Sequence, residues 1–314
     1  MVEWGPFAGA TLREPAKAYA VCGAMVEVDG RTRMVGIIGD PVVHSLSPRM
    51  HNAAFEALGL NWRYLSFRVS AGALAQALRG IVALGFVGVN VTVPHKEAAA
   101  SLMDELDPVA RRIGAVNTVR VADGRQQGFN TDAAGVLDAL SNDGGTTVSG
   151  RRCLVLGAGG GGRAAAFALA GAAAGVTILN RTVSRARGLA EMVSQAAPKC
   201  EVASGDLSAG SVERALENAD VIVHATTATM SAAMGGGGGR DAWLAVLTRR
   251  LRQGMTVLDM VYTPTWTDLL SAARAAGAVP VSGLSMLVYQ GARCFEVWTG
   301  QPAPVETMRH AVGL

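Results

Sequence analysis

The amino-acid sequence predicts an α/β protein of two domains, and three observations carry that expectation. The chain has 314 residues, about two domains on a prior of roughly 150 residues each and enough to bury a core without metals or disulfides. From Met34 onward, short β-branched runs alternate with alanine- and leucine-rich stretches, the order that makes a parallel sheet covered by helices on both faces. The turn-rich stretch Ser141-Asn-Asp-Gly-Gly-Thr-Thr ends this series, and a second series follows it.

Ahead of the first strand, residues 1–32 show no firm period. Glu3, Arg13, Glu14, Lys17, Glu27 and Asp29 interrupt their apolar positions, which spoils the pattern of a secretory signal. This stretch is expected to be an N-terminal extension of a cytoplasmic protein, either a loose, disordered segment or the product of an upstream start codon. The first unit places strands at 34–38, 62–67, 87–93 and 115–121, and helices at 48–58, 71–83 and 95–105. Ser47 followed by Pro48 suits an N-cap and a first helical position. Lys96 falls in the first turn of its helix, and Asp132 stands as an N-cap ahead of a helical segment at 133–141. The second unit places strands at 153–156, 176–179, 221–224, 256–260 and 279–281. Its glycine run from Gly235 to Gly239 has little backbone preference and is expected to form a mobile surface loop. Last, Ser285 to Trp298 reads as a helix with Leu287, Val288, Cys294, Phe295 and Trp298 at its apolar positions, docking back on the first unit. The expected domains are therefore 33–131 with 283–314, and 132–282.

Composition narrows the function classes. Charged residues make up 17% of the chain against a usual share of about 25%, and the net charge of +3 without a long basic run gives no nucleic-acid footprint. Small molecules are the expected partners. Cys22, Cys153, Cys200 and Cys294 are widely spaced without a C-x-x-C pair, which indicates neither a zinc site nor a disulfide framework and suits a reducing compartment. His44, His51, His95, His224 and His310 make no ligand cluster with cysteine or acidic partners, so no metal is expected. The longest apolar candidate, Ala164 to Asn180, is broken by Gly171 and Gly175 and falls short of the ~20 residues of a membrane span.

Chemistry concentrates in a few segments. The strand Cys153-Leu-Val-Leu runs into Gly157-Ala158-Gly159-Gly160-Gly161-Gly162-Arg163, and an alanine-rich helix follows, the context that gives G-x-G-x-x-G its meaning. Such glycines let the chain turn tightly and let a helix N-terminus approach a pyrophosphate, in a Rossmann-type domain; the bland reading is a glycine-rich loop alone. About twenty residues on, where an acid would hold the ribose hydroxyls of NAD, the next strand ends in Asn180-Arg181-Thr182. Arg181 and Arg185, with the Thr182 hydroxyl, can hold a 2′-phosphate, which favours NADP, or they are solvated arginines at a helix start. In the first unit Ser45 and Ser47 offer two hydroxyls to a ligand carboxylate beside a helix start. Lys96 opposes the positive end of its helix dipole, an awkward place for a solvated lysine and a suitable one for giving and taking a proton.

In order along the chain, H-S-x-S-P at 44–48, N-V-T-x-P-x-K at 90–96, G-A-V-N-T at 114–118, N-T-D at 130–132, G-A-G-G at 157–160, N-R-T-x-x-R-A at 180–186, Y-x-P at 262–264 and M-L-V-x-Q at 286–290 resemble the shikimate dehydrogenase family from about Met34 to Gly300. The resemblance implies an α/β substrate-binding domain, a Rossmann-type NADP-binding domain, and reversible reduction of 3-dehydroshikimate to shikimate in chorismate and aromatic amino acid biosynthesis. It implies a catalytic pair, Lys96 and Asp132, with Ser45 and Ser47 near the substrate carboxylate and Asn90, Thr92, Asn117, Tyr262 and Gln290 around the pocket. Thr226, Met260 and Gly283 are implied beside the cofactor, with Asn180, Arg181, Thr182 and Arg185 at its phosphate end. A quinate or aminoshikimate dehydrogenase shares almost all of these residues, and a catalytically silent sensor of shikimate or dinucleotide is the reading from another class. Monomer and homodimer stay open, without nucleic-acid or membrane partners. The chain departs from the family pattern at His224 and Thr229, where an asparagine and a glycine are usual, and this bears on how the nicotinamide is seated.

Overall fold

The computed structural model describes residues 28–230 and 241–314. The expected N-terminal extension lies outside the described residues except for 28–32, and so does the glycine run at 235–239. Where the described chain begins, the Asp29 carboxylate accepts the Arg31 N–H at 2.9 Å and the Asn61 side-chain amide at 2.8 Å, tying the entry to the first strand onto the main fold.

From Arg33 the chain runs β1 (Arg33–Gly39), α1 (Ser47–Ala57), β2 (Trp62–Arg68), α2 (Leu74–Ala83), β3 (Gly88–Val91), α3 (Lys96–Ala100), β4 (Glu105–Leu106), α4 (Pro108–Ile113), β5 (Thr118–Ala122) and β6 (Arg125–Phe129). Local chemistry sets these boundaries. Leu74, Leu78 and Ile81 bury one stripe of α2. In α4, the Asp107 carboxylate caps the Val109 and Ala110 N–H groups, Pro108 opens the helix, and Gly114 closes it at φ 69°. The strands form one sheet in the order β2-β1-β3-β5-β6-β4.

That sheet is mixed, which corrects the parallel one expected. β5 pairs antiparallel with both β3 and β6. The reason is a two-residue turn at Asp123-Gly124, both at positive φ (52° and 72°), the conformation that closes a tight hairpin and that Asp-Gly favours. The expected helix at 95–105 stops at Ala100, and the expected strand at 87–93 ends at Val91. Residues beyond Ala100 instead form a turn and β4, which pairs with β6 at the sheet edge.

The second half continues with α5 (Asp132–Asp138), β7 (Arg152–Leu156), α6 (Gly160–Ala170), β8 (Gly175–Asn180), α7 (Val183–Ala196), β9 (Glu201–Asp206), α8 (Ala209–Leu216), β10 (Val221–His224), α9 (Ala242–Arg250), β11 (Thr256–Asp259), α10 (Asp268–Ala275), β12 (Val279–Ser282), α11 (Gly283–Thr299) and α12 (Val305–Val312). Its six strands are all parallel, in the order β12-β11-β10-β7-β8-β9. Strand order reverses between β7 and β10, and a crevice opens beyond the carboxyl ends of strands at such a switch point.

Helix α11 returns to the first sheet, as expected. Leu284, Leu287, Val288, Phe295 and Trp298 share one core with Val35, Met50, Phe55 and Tyr64, each large side chain contributing roughly 1.5–3 kcal/mol by leaving water. Gly135 in α5 lets this helix come close: a Cβ there would stand 2.8 Å from Gln290 Cβ. No described helix is long and apolar enough to cross a membrane.

One buried side chain in this core is polar and unsatisfied. His51 is fully buried and stacked on Tyr64, with ring centroids 4.7 Å apart, and neither ring nitrogen has a hydrogen-bond partner among the described residues. Burial pushes its pKa down to about 3. A folded pKa below the unfolded one means that the protonated ring favours unfolding, so this contribution to stability is complete above about pH 6.5 and is lost as pH falls toward 3. Between pH 7 and 4.5 the group is expected to remove about 2–3 kcal/mol of stability. Urea unfolding at both pH values should show a smaller loss for His51→Leu than for the parent chain; equal losses would reject this account.

Candidate active site

Strand β3, the starts of α3 and α5, the loop before β5 and the returning helix α11 bring polar side chains to a common point. β3 carries Asn90 and is followed by a turn in which the His95 N–H meets Thr92 O at 2.9 Å, and α3 then starts at Lys96. Lys96 Nζ donates to Asp132 Oδ2 at 2.6 Å, with the lysine side chain 17% exposed and the aspartate 4%. The other carboxylate oxygen, Oδ1, accepts from Asn117 Nδ2 at 2.9 Å. That amide also lies 2.9 Å from Thr131 Oγ1 and 3.3 Å from Gln290 Oε1, while Asn117 Oδ1 accepts the Thr131 N–H at 2.8 Å.

Asp132 is not an N-cap. The helix already includes it, Thr131 before it has helical backbone angles, and no side-chain cap bond forms. Its carboxylate is turned instead toward Lys96 and Asn117, because a nearly buried carboxylate needs partners for both oxygens. Ser47 is likewise inside its helix and buried, without a capping bond. The Ser45 hydroxyl accepts the Ser47 N–H at 3.3 Å and so takes the role assigned to Ser47.

Asn90 is held from all sides: Tyr64 OH donates to its Oδ1 at 2.7 Å, and its Nδ2 reaches Asn117 O, Thr118 Oγ1 and Cys294 Sγ, each at 3.1 Å. Tyr262 is half-buried against the α1–α11 core, where burial raises its phenol pKa and a hydrogen bond with Ser45 opposes the rise. Thr92 is half-buried at the turn before Lys96.

Sequence reading missed Tyr64 and Cys294 as members of this network. Cys294 Sγ lies 3.0 Å from Thr118 Oγ1 and 3.2 Å from Thr131 Oγ1, and burial pushes its thiol pKa up, so it sits as a neutral thiol. Its signal was available: Gln290 and Cys294 are four apart on α11 and therefore share a face.

The second sheet supplies the opposite wall. β7 is followed by Gly157, whose φ of 116° and close approach to Ala225 O, 2.8 Å from a built Cβ, exclude a side chain. The Ala158 N–H donates to Asn180 Oδ1 at 3.1 Å, so the end of β8 braces the glycine turn. Gly159 precedes α6 without any side-chain cap and has open space around its Cβ position among the described residues. That leaves a helix N-terminus whose first N–H groups lack intrahelical acceptors, a cradle that fits a pyrophosphate. Gly161 faces Met260 Sδ, 3.2 Å from a built Cβ, and Gly283 is enclosed by three carbonyls of residues 259–261, each 2.7 Å from a built Cβ. Arg181, Thr182 and Arg185 are exposed just past β8, with Arg185 paired to Glu97 across the cleft.

The two walls touch at the lysine: a Cβ on Gly160 would stand 2.9 Å from Lys96 Cδ, so the lysine stem rests on the first turn of α6. The dinucleotide-type loop and the Lys96–Asp132 pair are thus parts of one cleft.

His224 and Thr229 are absorbed by a buried network. Asp259 Oδ1 accepts the Val261 N–H at 3.1 Å and its Oδ2 accepts the Thr267 hydroxyl at 2.8 Å, so the His224 Nδ1 that faces it at 2.8 Å carries the proton. His224 Nε2 stands 2.5 Å from Thr226 Oγ1, and Thr229 Oγ1 reaches Asp259 Oδ1 at 3.3 Å. Through these bonds the ends of β10 and β11 hold Thr226 against Gly157.

Comparison with known proteins follows the same lines. Three family models match: shikimate dehydrogenase substrate binding domain over residues 37–119, shikimate / quinate 5-dehydrogenase over 139–233, and shikimate 5′-dehydrogenase C-terminal domain over 283–312. The chain is 49% identical over 288 residues to the shikimate dehydrogenase (NADP+) of Methanopyrus kandleri, covering 91% of this chain and 97% of that one. It is similar in structure to a shikimate dehydrogenase solved in complex with NADP+, with a TM-score of 0.82, 37% identity, and coverage of 91% and 96%. A shikimate 5-dehydrogenase from Thermus thermophilus in complex with NADP(H) and shikimate matches with a TM-score of 0.76, 39% identity, and coverage of 89% and 98%.

His224 and Asp259 are both fully buried, so His224→Leu leaves a buried carboxylate without its ring partner. The carboxylate keeps the Val261 N–H and the Thr267 hydroxyl, so the expected cost is about 1.5–3 kcal/mol, the scale of a hydrogen bond to a charged group, measured by urea unfolding. A loss under about 1 kcal/mol, the scale of one ordinary hydrogen bond, would show that the pair does not anchor β10 to β11.

Proposed function

The chain belongs to the shikimate dehydrogenase family, and on that premise we propose that it catalyses the reversible NADPH-dependent reduction of 3-dehydroshikimate to shikimate. The observation that carries this reading is the cleft in which the Lys96–Asp132 pair of the first sheet lies against the glycine turn of the second. Residues 33–131 with 283–314 serve as the substrate-binding domain and 132–282 as the NADP-binding domain, a division supported by the two sheets and by the packing of α11.

Bound NADPH supplies the hydride. As negative charge grows on the ketone oxygen, a proton must arrive within hydrogen-bonding reach, and Lys96 Nζ is the donor. Asp132 keeps the ammonium in place and accepts a substrate hydroxyl; Asn117 and Gln290, bonded to each other and, through Asn117, to Asp132, offer the remaining polar contacts. In the oxidative direction Lys96 takes the hydroxyl proton. Its side chain is 17% exposed, which leaves a route for exchange of that proton with water. Ser45 and Ser47 hold the substrate carboxylate, with Tyr262, Asn90 and Thr92 shaping the same pocket.

NADP is favoured over NAD because β8 ends in Asn180, and the arginines that follow offer guanidinium groups to a 2′-phosphate. Action in the cytoplasm belongs to the same reading, supported by the free thiols of Cys153, Cys200 and Cys294.

Lys96→Met keeps an alkyl stem on Gly160 and removes the proton donor, so kcat should fall by roughly 10²–10⁴ while NADP+ affinity by titration changes little. Near-normal kcat would remove Lys96 from the mechanism. Initial rates at 340 nm with shikimate and quinate, each against NADP+ and NAD+, should be highest for shikimate with NADP+; preference for quinate or NAD+ would overturn the substrate or cofactor assignment.

A further inference from the structure

Glu97 has no part in the mechanism above, yet it stands beside Lys96 and reaches across the cleft. Its carboxylate pairs with the guanidinium of Arg185 in the first turn of α7, so α3 of one sheet is tied to the dinucleotide wall of the other. A second tie lies next to it: Arg163 of α6 donates to Ile113 O, at the end of α4, at 2.9 and 3.1 Å. Burial pushes the Arg163 guanidinium pKa down, and the nearby Glu97 charge opposes that shift. Glu97 is therefore the anion within reach of two cleft arginines, one of which is a ligand assigned above to the cofactor.

We propose that Glu97 is a cofactor-specificity residue that competes with the 2′-phosphate of NADP for Arg185. The inference rests on the reading of Arg185 as a 2′-phosphate ligand. The Glu97 and Arg185 side chains are 41% and 50% exposed, and an ion pair in such a setting is a weak tie. A dianionic phosphate matches the guanidinium fork better and takes the arginine. Glu97 is then left beside a like charge, a penalty present only when the ligand carries the 2′-phosphate. NAD, which lacks it, leaves the pair intact. Glu97 thus lowers affinity for NADP without touching NAD, and occupancy of the phosphate subsite opens one of the ties between the two walls next to Lys96.

Equilibrium titration of the full chain with NADP+ and with NAD+, in the parent, Glu97→Gln and Arg185→Gln, tests this. Glu97→Gln should lower the Kd for NADP+ by roughly 3- to 10-fold, the scale of one like-charge contact near a surface, and leave the Kd for NAD+ unchanged, which also shows that the variant is folded. Arg185→Gln should raise the Kd for NADP+ selectively. If Arg185→Gln weakens NADP+ but Glu97→Gln leaves the NADP+ to NAD+ ratio unchanged, or raises the Kd for NADP+, competition is rejected and the reading of Arg185 stands. If Arg185→Gln has no effect on NADP+, that reading fails and the proposal falls with it.

Discussion

A 2.6 Å bond from Lys96 Nζ to Asp132, in a place where the carboxylate has almost no access to water, is the constraint around which the rest is arranged. Removing two charges from solvent is costly unless the partners are close and the remaining lone pairs are satisfied. Asn117 meets that requirement on the aspartate side, and it is itself held by Thr131 and Gln290. The pair joins the start of α3 to the start of α5, and the backbone enforces this: Val116 N–H bonds to Lys96 O at 2.8 Å, bringing the chain that carries Asn117 back to the lysine.

Holding that geometry requires elements distant in sequence to approach closely, and glycine is the means. Gly135 admits α11 to α5 and brings Gln290 into the network; Gly160 admits the stem of Lys96 to α6. A side chain at either position would separate the parts that make the cleft. α11 thereby serves two sheets: it starts directly after β12 and buries its apolar face in the core of the first sheet.

Two buried histidines illustrate how context sets the role of a residue. His224 faces Asp259 and Thr226 and is bonded at both ring nitrogens, so it connects strand ends beneath the dinucleotide-type turn. His51 stacks on Tyr64 with both nitrogens unsatisfied among the described residues, which makes the core sensitive to acid rather than stronger. The residue type is the same; the difference lies in whether a neighbouring element presents a hydrogen-bond partner.

The sequence by itself determined what depends on short-range order: the strand, glycine turn and helix at 153–170, the opening of α3 at Lys96, and the apolar positions of the last long helix, because period, turn chemistry and motif spacing are local properties. It also contained a signal that went unread, Asp123-Gly124, whose positive-φ turn makes the first sheet mixed. The tertiary structure alone decided the rest. Asp132 and Ser47 look like caps in isolation, since a polar residue before an apolar helix has a local partner available. Asp132 is turned away by Lys96, 36 positions earlier in the chain, and Cys294 becomes part of a polar network through Thr118, 176 positions away. Such contacts depend on how sheets and helices pack, and no window of sequence holds both partners.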